Sequence, residues 1–194
     1  MIKMSNVSFA YGSTDILSDF NLELKSGETV MITGPNGVGK STVLRLLAGV
    51  LKPLSGKIDY GYPGEMDSRL KTAFLPDSLS CYRSMTPVEA AEYHAGIFGT
   101  EPSNLEIAKK AGVNLNSHIY ELSVGQRVLV QVAIVLSTNP ELILIDEVLH
   151  SIDPHLRAII CRELIMVMDK RNPAVVMVNR RNASDLKNEY IKCP

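Results

Sequence analysis

Apolar positions in the chain follow two different periods. From Met1 to Tyr11 they alternate around Ile2, Met4, Val7 and Phe9, and after the turn Tyr11-Gly12-Ser13-Thr14 they alternate again at Phe20, Leu22 and Leu24. A period of two marks half-buried strands, so two early antiparallel strands are predicted. Lys25-Ser26-Gly27-Glu28 reads as a second turn, and the β-branched run Thr29-Val30-Met31-Ile32-Thr33 as a buried strand. At Ser41 the period changes. Val43, Leu44, Leu46 and Leu47 have helical spacing, closed by Gly49 and Pro53.

The same alternation of strand and helix returns later. Thr72 to Leu75 is a short predicted strand ending at Pro76, and Leu142-Ile143-Leu144-Ile145 and Ala174 to Val178 are apolar strands. Pro154 to Met168 reads as a helix, and Ser123 as the cap of another that extends to Ser137. Between them the pattern is helical. Pro87 suits a first helical turn because its missing N–H would be unpaired there, and that helix runs to Phe98. Ser103 and Glu106 have capping-box spacing for a helix reaching Ala111. The fold expected is α/β, with a mainly parallel sheet, an N-terminal antiparallel β portion and a small inserted helical lobe. One domain over 1–194 accommodates it, with residues 1–76 and 122–194 as the core and 77–121 as the lobe.

Composition narrows the class. Hydrophobic content of 45% and charged content of 21% fit a globular domain of 194 residues with a real core. A formal net charge of −1 gives no electrostatic reason to expect nucleic acid. Cys81, Cys161 and Cys193 are far apart and suit reduced thiols in a cytoplasmic protein better than a disulfide framework. His94, His118, His150 and His155 show no metal-binding spacing. No apolar run reaches the roughly 18 residues that span a bilayer, so any action at a membrane goes through a partner.

The chemistry sits in three places. Gly34-Pro35-Asn36-Gly37-Val38-Gly39-Lys40-Ser41, followed by Thr42, matches G-x-x-x-x-G-K-[ST] in full, between a strand and a helix as a phosphate loop requires. Its glycines let backbone N–H groups converge on phosphates. Lys40 is a mobile point charge for the β- and γ-phosphates, and Ser41 a ligand for Mg²⁺. The second place is the strand Leu142 to Glu147, which ends in two acids. It places Asp146 at the carboxyl edge of the sheet to hold the Mg²⁺ shell, and Glu147 beside it to polarise water. Paired acids after a strand are more often a solvated loop; the complete phosphate loop upstream tips the reading toward chemistry.

The third is Leu122-Ser123-Val124-Gly125-Gln126. It resembles the LSGGQ signature of ATP-binding cassettes, with Val124 in place of the first glycine, and the resemblance spans Val7 to Asp185. The resemblance implies an ATPase that binds ATP and Mg²⁺. Its working unit would be a head-to-tail dimer, either a homodimer or a heterodimer with a paralogous cassette. Each ATP would lie between one subunit's phosphate loop and the other's Ser123, Gly125 and Gln126. By the same resemblance Tyr11 would stack on adenine, and Asp153 in Ser151-Ile152-Asp153 would link the two sites.

Two positions depart from the family. Asp77 stands where a glutamine usually meets Mg²⁺ and water; an acid there can still meet a hard cation. Arg180, or Asn179 one register away, stands where the switch histidine follows the last core strand. ATP binding is therefore expected with weak or partner-dependent turnover. The compact segment after Asp77 resembles the helical lobe of exporter-type cassettes. Within it, Tyr82, Met85, Tyr93 and Phe98 are candidates for a groove receiving an integral membrane transporter subunit, although such stripes more often pack within their own lobe. The expected placement is cytoplasmic, peripheral on the inner face of the cell membrane. The alternatives are a soluble cassette ATPase outside transport and a weakly hydrolytic ATP-dependent clamp.

Overall fold

A computed structural model describes residues 1–61, 69–77 and 82–179. Its elements in chain order are β1 (Ile2–Tyr11), β2 (Thr14–Leu24), β3 (Thr29–Thr33), α1 (Lys40–Leu47), β4 (Ser55–Asp59), β5 (Thr72–Leu75), α2 (Pro87–Phe98), α3 (Glu106–Lys110), α4 (Val124–Leu136), β6 (Leu142–Ile145), α5 (Pro154–Arg171) and β7 (Ala174–Asn179). They form two sheets. One is antiparallel in the order β2-β1-β4, and the other is parallel in the order β3-β7-β6-β5.

The parallel sheet is buried on both faces, which explains why its central strands read as unbroken apolar runs. Leu142 and Leu144 of β6, with Ala174, Val176 and Val178 of β7, face α1 and the antiparallel sheet in one core. Ile143, Ile145 and Val175 face a second core built with α4, α5 and the helical segment. The helices of that segment have no separate interior: Ala90, Ala91, Leu105 and Ala108 belong to the same core as Leu129 and Ile134 of α4.

Two sequence expectations change, and one strand was not foreseen. β3 is half-buried, with Thr29 exposed, because it is an edge strand of the parallel sheet. β4 carries one partly covered apolar residue, Ile58, and so gave no periodic signal; pairing with β1 makes it a strand. Ser103 does not box a helix. Its hydroxyl accepts from Leu105 N at 3.4 Å and Asn104 Oδ1 accepts from Glu106 N at 3.1 Å, while Leu105 takes a left-handed φ of 54° and is buried in the core. Seating that leucine sets the helix start at Glu106. The boundaries read for the helix at Pro87 and the strands at Thr72 and Leu142 hold.

Candidate nucleotide-binding site

Parallel register brings the chemistry to one edge. β3 pairs with β7 so that Thr33 lies beside Asn179, and Leu75 of β5 lies beside Ile145 of β6. Gly34, Asp77 and Asp146 therefore leave the carboxyl ends of their strands together, where open α/β sheets bind ligands. Arg180 follows β7 and, like Cys81 and Cys193, lies outside the described residues. The result is a cleft of about 320 Å³ lined by Tyr11, Ile16, Asn36, Gly37, Gly39, Lys40, Ser41, Thr42, Asp77, Asp146 and Glu147. Gly34, Pro35 and Val38 of the same loop are outside this lining.

The loop's backbone explains its glycines. Gly39 has φ +99° and sits so close to β2 that a Cβ would lie 2.8 Å from Ile16 Cγ2. Gly37, at φ +82°, faces open space, so its requirement is conformational alone. Gly39 precedes α1 and offers no side-chain cap, and no acid occupies the helix's first turn. The first-turn amides are left for an anion, with the helix dipole behind them. Lys40 is 6% exposed, and its ammonium donates to the carbonyls of Gly34 at 2.8 Å and Pro35 at 2.9 Å. The cation is thereby held over the loop.

Asp146 is 1% exposed, and its Oδ2 has no hydrogen-bond partner. Its backbone is fixed by donation from Asp146 N to Leu75 O at 2.9 Å. Burial pushes its carboxyl above the usual carboxylate range. A hydrogen bond from the Ser41 hydroxyl opposes that, the negative charges of Asp77 and Glu147 add to it, and Arg45 weakly offsets it. An orphaned, buried carboxylate oxygen beside a serine hydroxyl is the donor set a hard divalent cation takes. No three His, Cys, Asp or Glu side chains among the described residues converge as a ready-made metal centre. Asp77 therefore does not complete such a centre with Asp146 and Glu147, and the remaining ligands of a cation would come from phosphate and water.

The signature lies elsewhere on the chain. Ser123 caps α4 in a reciprocal box: its Oγ accepts from Gln126 N at 3.3 Å, and Gln126 Oε1 accepts from Ser123 N at 3.1 Å. Asp153 caps α5, its Oδ1 accepting from Leu156 N at 3.0 Å. Gly125 joins the two, since a Cβ there would lie 2.7 Å from Leu156 Cδ1 and 3.4 Å from Asp153 Oδ2. None of Ser123, Gly125, Gln126 or Asp153 lines the cleft. The signature residues and the cleft are thus separate on the chain.

Tyr11 lines the cleft mouth, 45% exposed, with its ring edge-on to Phe9 at 4.9 Å. Ile16 lines it too and was missed by sequence reasoning, since an isoleucine at a strand start carries no chemical signal. In the helical segment Tyr82 and Met85 pack onto the core and Phe98 stacks on His94, whereas Tyr93 is 53% exposed. Tyr82, Met85 and Phe98 are thus half-buried, and Tyr93 stands out from them.

Comparison with known proteins decides what this arrangement belongs to. The family model for ABC transporters matches residues 17–150, more than half of the chain. The chain belongs to the ABC transporter family. An ABC transporter ATP-binding protein of Clostridium acetobutylicum is 31% identical over 201 residues, covering 91% of this chain and 80% of that protein. The ATP-binding protein of a high-affinity zinc uptake system from Bacillus subtilis is 28% identical over 192 residues, covering 92% and 83%. Among solved structures, an ATP-binding cassette in a dimeric post-hydrolysis state bound to ADP and Pi superposes with a TM-score of 0.78 at 26% identity, covering 93% of this chain and 88% of that one. An ATP-binding subunit of an ABC transporter, at 22% identity and a TM-score of 0.82, covers 95% and 81% and shares the fold. This cassette is an ATP-binding ABC ATPase subunit. The zinc system named here is an importer, whereas the exporter-type resemblance pointed the other way. No helix among the described residues is long and apolar enough to cross a membrane.

Proposed function

We propose that this cassette binds MgATP in the cleft between the Gly34–Ser41 loop and the end of β6, and hydrolyses it within a head-to-tail dimer to drive transport through a separate membrane subunit. The buried, unpartnered Asp146 Oδ2 beside the Ser41 hydroxyl carries this reading, because such a group persists where a ligand completes it. Tyr11 receives the adenine ring. Gly34 to Thr42 wrap the phosphates, and Lys40 supplies the positive charge. Ser41 and Asp146 hold the cation, which when bound screens the charge that gathers on the terminal phosphate during cleavage. Glu147, at the cleft wall, orients the attacking water.

Ser123, Gly125 and Gln126 of one subunit close the other's site, and Asp153 connects the two through its packing beneath Gly125. The chain acts as one ATPase domain in this reading, with residues 77–121 as the lobe that meets the membrane subunit at the inner face of the membrane. Turnover is slow or gated by that partner, since Asp77 and Arg180 replace two uncharged or titratable family positions.

Calorimetry tests the binding half. Wild-type protein takes up MgATP at one site per chain, and Lys40→Ala abolishes the heat; equal heats in both refute the cleft. For the dimer, Glu147→Gln with MgATP elutes as a dimer on gel filtration. Elution as a monomer at saturating nucleotide argues against the head-to-tail unit.

A further inference from the structure

The described lining of the cleft carries one cationic side chain, Lys40, against the three carboxylates Asp77, Asp146 and Glu147. Lys40 is in part already occupied, since its ammonium donates to two loop carbonyls. Asp146 is buried with one oxygen unpartnered, and the charge of Asp77 reaches it. Asp77 itself is exposed, and the three acids do not close on an ion by themselves. Asp146 is thus the buried acid of the lining and Asp77 an exposed one whose charge is felt at Asp146.

That field has a sign. A metal-free nucleoside triphosphate brings roughly four negative charges into the cleft, and a bound divalent cation cancels about two of them. Backbone amides and the α1 dipole favour the anion in either state. An added carboxylate at the rim penalises the metal-free tail about twice as much as the metal-loaded one.

Resting on the nucleotide site proposed above, we propose that Asp77 makes triphosphate binding conditional on the divalent cation, so that the cleft takes metal-loaded nucleotide and rejects the metal-free form. Asp77 is thus a specificity-determining residue for the known reaction. It acts on which ionic form of the substrate enters, upstream of bond cleavage.

The test measures the dissociation constant of ATP twice, with excess Mg²⁺ and with a chelator, for wild type, Asp77→Asn and Asp77→Glu. In the wild type, chelation weakens binding by about a hundredfold. Asp77→Asn narrows that ratio about tenfold by tightening the metal-free constant, and Asp77→Glu keeps the wild-type ratio. Raising ionic strength shrinks the difference between wild type and Asp77→Asn, as screening requires. An unchanged ratio in Asp77→Asn overturns the proposal. A ratio that narrows because the Mg²⁺-loaded constant weakens overturns it too, marking Asp77 as a ligand. Absence of binding by the wild type even with Mg²⁺ defeats the nucleotide site itself, a result distinct from either.

Discussion

Replacing Asp146 with asparagine should stabilise this protein while disabling it. The carboxylate is 1% exposed, one oxygen is unpartnered, and two nearby carboxylates repel its charge. In the absence of a cation, folding must bury that charge at a cost. An unsatisfied buried polar group costs about 1–3 kcal/mol, and an asparagine amide recovers part of this by removing the charge and keeping an oxygen for the Ser41 hydroxyl. A gain of about 1 kcal/mol is expected for the ligand-free variant. For a chain of this size that raises Tm by roughly 2–4 °C.

The pH dependence follows from the direction of the shift. The folded-state carboxyl titrates above its ordinary value of 3.8, so the folded state holds the proton more tightly than the unfolded state. The wild type therefore loses stability as pH rises from 3.8 through the raised folded value, and the loss is complete above it. Asp146→Asn lacks that loss, so the gap between the two proteins opens across this window and then stays constant. Saturating MgATP reverses the order. At a hundred times Kd the wild type gains about 2.7 kcal/mol, and the variant, without its cation ligand, gains little. Thermal melts with and without MgATP, from acid to neutral pH, read all of this. A variant that melts below the wild type without nucleotide refutes the claim that Asp146 is held there for a ligand.

Other substitutions separate stability from assembly. Gly39→Ala combines a φ of +99° with a Cβ 2.8 Å from Ile16 Cγ2; it should cost about 1–3 kcal/mol by denaturant melts and remove MgATP binding. Gly125→Ala meets the flexible end of Leu156 at 2.7 Å. Its stability should move by under about 1 kcal/mol, because the helix gains propensity as Leu156 shifts. Nucleotide-dependent dimerisation, read by light scattering, should nonetheless fall sharply; an intact dimer would separate the Gly125–Asp153 packing from assembly. His94 is 6% exposed, its Nδ1 pairs with the Tyr82 hydroxyl at 2.9 Å, and burial lowers its pKa below 6.5. Stability should therefore fall as pH drops through 6.5 toward the lower folded value, and His94→Phe should flatten that part of the profile.

What the sequence disclosed follows from which residues carry their own constraint. Gly34 to Ser41 could be read directly because lysine and glycine there answer to a phosphate, whatever the rest of the chain does. Lys40, Ser41, Asp146 and Glu147 line one cleft. The fold was readable at β5, β6 and α2 for a similar reason: proline at Pro76 and Pro87 and a run of four buried apolar residues at Leu142–Ile145 fix boundaries locally. Where tertiary context decides, the pattern misled. Ser55–Asp59 is a strand because β1 offers an unpaired edge, and Ser103 lost its cap role because Leu105 has a core to fill. Ile16 entered the site only through the closeness of β2 to Gly39, a distance no alternation encodes. The same contrast bears on Asp77. As a residue type it read as a substitute ligand, and its exposed place in the lining that also holds Asp146 and Glu147 is what motivates the other task proposed above. In the role proposed above, a carboxylate at that place decides, by repulsion, whether the phosphates arrive with a cation.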